Sequence, residues 1–125
     1  MKILLALAIL LMSYGVSAEA PTCFEYSPEN YCRYTGKVEK VYVNDTNLIL
    51  VYFDTPFSQG TPQDFGFNTI QYGAAALAIN DNPTFAQYFY AAILAAQASG
   101  RDVTIQMRGV TAGYMKIDRI WLDKP

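Results

Sequence analysis

Short apolar runs separated by polar turn residues make up the body of the chain, a pattern that is typical of a compact β-rich domain. The first run, residues 36–43, contains the apolar side chains Val38 and Val41. A strand alternates with a period of two, so the step of three between these valines breaks the alternation once. An extra residue at Glu39 or Lys40 would restore it, and such a bulge would bend the strand.

Two further strands are predicted between this run and the helix. The polar turn at residues 44–47 leads into the fully apolar run 48–53, which predicts a hairpin. Residues 54–72 hold prolines and glycines among polar residues and are predicted to be a long connection. Its aromatic residues are expected to fold back onto the core: Phe57, Phe65 and Phe67. The run 74–80 is ambiguous because alanine favours helix, and we predict a third strand because the next segment is helical.

The clearest element is a helix that begins at Pro83, is capped by Asp81 or Asn82 and ends before Gly100. One face repeats at intervals of three and four residues and is predicted to be buried: Phe85, Phe89, Ala92, Ile93 and Ala96. The alanines between residues 91 and 98 permit close approach to the sheet or to a neighbouring subunit. They also fit the simpler explanation that alanine is the best helix former.

Two strands follow the helix. Residues 103–108 alternate cleanly, residues 109–113 form a turn, and residues 114–122 form the last strand with one irregularity near Asp118. The resulting order is β-β-β-α-β-β. This is the element order of the OB-fold, a five-stranded barrel with its helix between the third and fourth strands. We therefore predict a mainly β, OB-fold-like barrel with one helix over residues 35–125.

The first eighteen residues have the features of a removable export signal. Lys2 precedes the apolar run 3–12, and small residues end at Ala18, which predicts cleavage before Glu19. The apolar run is shorter than the roughly 20 residues that a membrane-spanning helix needs, so we expect no stable membrane anchor. The protein is therefore predicted to be secreted or periplasmic.

Both cysteines lie near the predicted new amino terminus. In an exported protein, Cys23 and Cys32 are expected to form a disulfide that holds an amino-terminal arm, residues 19–34, against the domain. The alternative of a redox or metal-binding pair needs a C-x-x-C spacing or further ligands, and the sequence has neither.

Charge and composition exclude several functions. The chain has 11 acidic and 9 basic side chains, a net charge of −2 and no basic run, so we expect no nucleic-acid partner. It has no histidine, which removes Ser-His and Cys-His catalysis and imidazole metal ligation. The carboxylates are dispersed and no nucleotide or nucleophile motif is present. We therefore predict a protein that is not an enzyme, with no cofactor and no metal site.

A more specific resemblance lies in residues 88–107, YFYAAILAAQASGRDVTIQM. This segment resembles the helix, glycine and valine-rich strand of small exported B subunits of AB5 toxins, of the subtilase-cytotoxin and pertussis type. Those families are glycan-binding OB-fold proteins that assemble as rings of five around a catalytic partner. The resemblance therefore implies an exported glycan-binding module that forms a homo-oligomer. Those B subunits generally carry further disulfides, whereas this chain has two cysteines.

A non-catalytic binding module is the leading functional prediction. The chain has ten tyrosines, many on short segments with polar flanks, where a ring and a hydroxyl can face a sugar or a protein. The loops that OB-folds use for ligands predict these binding residues: Asn44, Asp45, Thr46, Arg108, Thr111 and Tyr114. Each of them also fits an ordinary hairpin turn. Residues 44–46 spell a glycosylation sequon as well.

The alternative function is a periplasmic or secreted interaction or inhibitor domain that has a protein partner and no small-molecule ligand. Such a domain would use an exposed strand edge or the alanine-rich helix face.

Overall fold

The computed structural model describes residues 19–125. The predicted export signal, residues 1–18, lies outside the described residues. The described chain forms a seven-stranded mixed sheet and one long helix, which confirms the prediction of a mainly β fold with one main helix. No helix in this part of the chain is long and apolar enough to cross a bilayer.

The sheet is ordered β1-β2-β6-β7-β5-β4-β3 and is antiparallel except between β5 and β7. The strands are β1 (Thr22–Phe24), β2 (Tyr31–Gly36), β3 (Lys40–Val43), β4 (Leu48–Tyr52), β5 (Ala74–Ala78), β6 (Val103–Thr111) and β7 (Tyr114–Leu122). The helices are α1 (Thr61–Asp64) and α2 (Pro83–Ser99), and a 3₁₀ turn, Ile79–Asp81, precedes α2.

The predicted five-stranded barrel is wrong in its strand count and in its closure. The sheet has seven strands because the predicted arm contributes β1 and because β2 and β3 replace the single first strand. Within residues 19–125 no pairing joins β2 to β3, so the sheet is not closed into a barrel. β2 begins at Tyr31, earlier than the strand predicted over residues 36–43.

The interruption between β2 and β3 coincides with contacts of Tyr34 and Lys37. The predicted bulge at Glu39 or Lys40 is instead a break at residues 37–39. There the buried Tyr34 donates a hydrogen bond from its hydroxyl to the carbonyl of Lys37. The ammonium of Lys37 is held in turn at the C-terminal end of α2. These contacts lie where the chain leaves its pairing with β6 and enters β3 beside β4.

Helix α2 has the predicted bounds and the predicted caps. The side chain of Asn82 accepts a hydrogen bond from the backbone N–H of Phe85 at 3.0 Å. Gly100 ends the helix with a left-handed φ of 66°. The buried residues of α2 are Ala86, Phe89, Ile93 and Ala96, while Phe85 and Ala92 are half-buried.

The hairpin of β6 and β7 differs from the prediction in its turn. Instead of residues 109–113, the turn is Ala112 and Gly113, both with positive φ (52° and 84°), as in a two-residue type I′ hairpin. The irregularity predicted near Asp118 is confirmed, because the pairing of β6 with β7 skips this residue.

The other predicted elements are present. The hairpin is β3 and β4, the third strand is β5, and the connection between β4 and β5 contains only the short helix α1. Phe57 and Phe67 of this connection are buried, and Phe65 packs against the core.

The core lies between one side of the sheet and α2. Inward side chains of β2, β6 and β7 alternate along their strands: Cys32, Tyr34, Val103, Ile105, Met107, Met115 and Ile117. The predicted disulfide between Cys23 and Cys32 is present and packs against this core. Stable disulfides are typical of oxidising compartments outside the cytoplasm.

Candidate functional site

The outer side of β1, β2, β6 and β7 carries a cluster of aromatic and polar side chains. Successive residues of a strand point to opposite sides of the sheet, so the neighbours of buried Cys32 and Met107 point away from the core. We call this surface the arginine-aromatic face. It consists of Phe24, Tyr26, Tyr31, Arg33, Gln106, Arg108, Arg119 and Trp121.

Aromatic rings from the β1–β2 hairpin form one half of the face. Phe24 lies opposite Tyr31 in the strand pairing, and the two rings stack with centroids 5.1 Å apart. Tyr26 meets the same Tyr31 ring edge-on at 5.9 Å. Phe24 and Tyr26 remain 38 % and 58 % exposed, so their ring surfaces are open to a ligand.

Two arginines are packed on these rings. The guanidinium of Arg33 lies 5.7 Å from the centroids of Phe24 and Tyr31 and 5.9 Å from that of Trp121. Arg108 lies 5.8 Å from Tyr31 and 5.9 Å from Tyr26. Contacts of this kind contribute about 0.5–1 kcal/mol each at exposed sites. Both guanidiniums are therefore held in place before any ligand arrives.

A concavity of about 260 Å³ lies within the face. Its lining residues are Tyr26, Tyr31, Gln106, Arg108 and Arg119. Gln106 is only 5 % exposed, although its alternation along β6 points it outward. Its amide donates to the carboxylate of Asp118 at 3.3 Å, and Asp118 lies 3.7 Å from the Nε of Arg119. Asp118, the residue that the pairing of β6 with β7 skips, thus orients the lining side chains of Gln106 and Arg119.

The face is basic on a protein whose net charge is −2. The Nε atoms of Arg33 and Arg108 are buried and have no hydrogen-bond partner among the described residues. Of Arg33, Arg108 and Arg119, only Arg119 forms an ion pair within the described residues. Guanidinium groups bind carboxylates and other oxyanions through charge-assisted hydrogen bonds. The concavity therefore suits an anionic group flanked by a surface that stacks on aromatic rings.

The structure gives the residues predicted in the β3–β4 turn a structural role. The side-chain oxygen of Asn44 accepts from the N–H of Thr46 at 3.0 Å, from its hydroxyl at 2.7 Å and from the N–H of Leu48 at 3.2 Å. Asn44 and Thr46 thus shape the turn, and Asp45 is exposed beside them. These contacts fit the alternative of an ordinary hairpin turn.

The residues predicted near the β6–β7 turn separate into two groups. Arg108 belongs to the arginine-aromatic face. Tyr114 packs with Tyr52 over small buried residues on the other half of the sheet, and burial raises its pKa, with a further increase from Tyr52 and Tyr42. Thr111 pairs with Tyr114 at the end of the hairpin.

The two predicted loops do not meet. The β3–β4 turn contacts the residues after β5, where the carbonyl of Asn47 accepts from the N–H of Ile79 at 2.8 Å. The start of β7 instead pairs with the start of β5, through Ala75 and Met115. The two loops therefore lie at opposite ends of β5, and the structure does not combine them into one site.

Most residues of the face were missed by sequence reasoning. The missed residues are Phe24, Tyr26, Tyr31, Arg33, Gln106, Arg119 and Trp121. One signal was present in the sequence, because Tyr31 and Arg33 flank Cys32, whose disulfide was expected to hold the arm against the domain, and alternation places both neighbours on the opposite side of a strand. Their alignment with Gln106 and Arg108 follows only from the pairing of β2 with β6.

A second concave feature is an apolar groove of about 350 Å³ between α2 and the β3–β4 hairpin. Its lining residues are Val43, Ile49, Ile79, Pro83, Ala86, Gln87 and Tyr90. It lacks the charged side chains of the arginine-aromatic face.

No protein family, curated protein or solved structure matches the chain. Within residues 19–125 no group of three or more His, Cys, Asp or Glu side chains could hold a metal ion. The functional conclusion therefore depends on the geometry of the arginine-aromatic face.

Proposed function

We propose that this protein is an exported, non-catalytic binding module whose ligand is a glycan that carries a carboxylate. One observation carries the proposal: the concavity places Arg108 and Arg119 beside the exposed ring of Tyr26 and the ring of Tyr31. Sugars present apolar faces and hydroxyl groups, and an acidic sugar adds a planar anion.

Each part of such a ligand has a partner in the face. Aromatic side chains combine an apolar body with a polar tip and suit surfaces that are partly wet. A guanidinium matches the two oxygens of a carboxylate, and the guanidiniums of Arg108 and Arg119 both line the concavity. Gln106, which lines the concavity, has an amide that can bond to a sugar hydroxyl.

The strand pairing supports the topology of an OB-fold. When β2 and β3 are counted as one bent strand, that strand pairs with β6 at one end and with β4 at the other. The remaining pairings are β4 with β5, β5 parallel to β7, and β6 with β7, and α2 follows β5. An OB-fold is a partly open five-stranded barrel with this element order. We therefore propose that the chain resembles the B subunits of AB5 toxins and assembles as a ring of five.

Ligand binding is tested with an array of neutral, carboxylated and sulfated oligosaccharides. The variant Arg108→Met/Arg119→Met keeps apolar bulk and removes both charges, and Lys116→Met is the matched control on the other half of β7, where its ion pair with Asp81 is exposed. Hydrogen bonds to charged groups contribute about 1.5–3 kcal/mol, so the double variant should lose carboxylated ligands by roughly tenfold or more. The proposal fails if the wild-type protein does not prefer carboxylated glycans. It also fails if the double variant binds carboxylated glycans as well as the Lys116→Met control and the wild type do.

The apolar groove favours a second function, a protein-interaction domain without a small-molecule ligand. Helix α2 has no charged residue, and Tyr90 and Val43 at the groove are 39 % and 50 % exposed. A photo-crosslinker at position 87 tests this function. It would be supported by cross-links from this position to one defined partner together with a silent glycan array, and excluded if no cross-link forms.

A further inference from the structure

The arm that carries part of the arginine-aromatic face is attached at the edge of the sheet. Within residues 19–125, β1 pairs with β2 over three residue pairs and has no strand on its other side. It carries Phe24, and the loop that follows it carries Tyr26. Two of the exposed rings of the proposed site therefore belong to a segment that pairs with the sheet through β2 alone within that range.

The Cys23–Cys32 disulfide is the covalent tie of this segment. Cys32 is wholly buried in β2, whereas Cys23 is half-buried in β1 directly opposite it. The neighbouring pair is Phe24 and Tyr31, so the tie lies next to their ring stack. It therefore maintains the register in which the two rings meet.

Among the described residues, Asn30 also anchors the loop by side-chain hydrogen bonds. The amide of Asn30 donates to the carbonyl of Phe65 at 3.1 Å, and its oxygen accepts from the N–H of Tyr26 at 3.0 Å. Asn30 lies just before β2, and its bond to Tyr26 ties the backbone two residues after β1 to this position. The β1 strand itself is held by the disulfide, by the short strand pairing, by the buried Pro21 that precedes it and by contacts with α1.

We infer that the Cys23–Cys32 disulfide is a positioning element for ligand binding rather than a requirement for folding. The inference rests on the proposed function. When the disulfide is open, β1 separates from β2 in a large fraction of molecules, and Phe24 of β1 leaves the face. Apparent affinity falls with the fraction of molecules that are competent to bind. The other six strands of the sheet and helix α2 do not need β1 for their own pairing and stay folded.

The same dependence links binding to the compartment. In a reducing cytoplasm the two thiols are free and the ring surface is incomplete, whereas oxidation after export completes it. A dithiol reductant reverses the process, because its two thiols become a disulfide while the protein disulfide becomes two thiols. We therefore expect that ligand capture belongs to the exported, oxidised protein.

The experiment compares oxidised wild-type protein, wild-type protein reduced with dithiothreitol, and Cys23→Ser/Cys32→Ser. Binding to carboxylated oligosaccharides and thermal unfolding by far-UV circular dichroism are measured on each. We expect both disulfide-free forms to unfold cooperatively and to bind at least tenfold more weakly. The reduced wild-type protein supplies the result if the serine variant does not fold.

A double-mutant cycle separates positioning from general destabilisation. Phe24→Ala should weaken binding in the oxidised protein and have little further effect when the disulfide is absent, because the ring has already left the face. Equal effects of Phe24→Ala in both backgrounds, or unchanged affinity without the disulfide, overturn the inference and leave the proposed function intact. Loss of cooperative unfolding in both disulfide-free forms also overturns it. If the oxidised wild-type protein binds no carboxylated glycan, the proposed function itself fails.

Discussion

The guanidinium of Arg33 lies 5.9 Å from the ring centroid of Trp121, the only tryptophan of the chain. Arg33 is on β2 and Trp121 is near the end of β7, so the contact crosses β6. The same guanidinium also lies over Phe24 and Tyr31. One cation thus joins the rings of the arm to a ring on the far side of the face.

This relationship predicts that Arg33 organises the face. Arg33→Met should weaken binding of carboxylated oligosaccharides by roughly threefold to tenfold, because each cation–π contact is worth about 0.5–1 kcal/mol. Trp121 fluorescence measures both the binding and the altered surroundings of the ring. Lys40→Met is the control, since Lys40 lies 4.2 Å from the Tyr52 ring on the other half of the sheet. Equal losses in the two variants would contradict a specific role for Arg33.

A second prediction concerns the β3–β4 turn. Asn44→Ala removes the acceptor of three hydrogen bonds and should lower the free energy of unfolding by about 1–3 kcal/mol. Ligand affinity should stay the same, because the turn does not line the concavity. Urea denaturation and the glycan array check the two parts, with the exposed Asp45→Ala as the control. A large loss of affinity in the folded Asn44→Ala variant would indicate that the ligand binds at this turn.

A third prediction tests the orientation of α2. Phe89 is fully buried, so Phe89→Ala should cost about 3–5 kcal/mol of unfolding free energy. Tyr88, its neighbour, is 72 % exposed, and Tyr88→Ala should change stability by only about 0.5 kcal/mol or less. Chemical denaturation measures both variants. Similar costs at the two positions would mean that the helix packs through a different face.

Tyr34 predicts a pH dependence of stability. Burial is the largest cause that raises its pKa above the ordinary value of 10.0; the backbone N–H of Asp54 lowers it, and nearby carboxylates raise it further. Above pH 10 the unfolded chain loses this proton before the folded protein does. The unfolded state then binds fewer protons, so stability falls with rising pH, by at most about 1.4 kcal/mol per pH unit. The contribution is complete below pH 10 and is lost as the pH rises through the raised folded value.

The matched variant is Tyr34→Phe. It should flatten the decline of unfolding free energy above pH 10, and at neutral pH it should cost about 1–3 kcal/mol, because the N–H of Asp54 loses its acceptor. Denaturant titrations over pH 7–11 measure this difference, and Tyr88→Phe, at an exposed position, is the control. A decline that is identical in wild type and Tyr34→Phe would exclude Tyr34 as its source.

Elements set by neighbouring residues were predictable from the sequence. Asn82 and Gly100 mark the ends of α2 through capping preferences that act within a few residues. The irregularity at Asp118 follows from alternation along a single strand. The break at residues 37–39 was not predictable in this way, because it depends on Lys37 contacting Gly100, 63 positions away.

The candidate site was less predictable for the same physical reason. Arg108 was selected from a loop position, but its role depends on the ring of Tyr31, which the β2–β6 pairing brings beside it. Periodicity states which side of a strand a residue faces and does not state which distant strand lies beside it. The face therefore emerges only when the sheet order is known.

The most direct test of the account is a backbone amide NMR map recorded while a carboxylated oligosaccharide is added to oxidised protein. The proposed site predicts the largest shift changes at Tyr26, Tyr31, Gln106, Arg108 and Arg119, with little change at the β3–β4 turn or along α2. The largest changes at Asn44–Asn47 or at the apolar groove, with the amides of β2 and β6 unmoved, would contradict it.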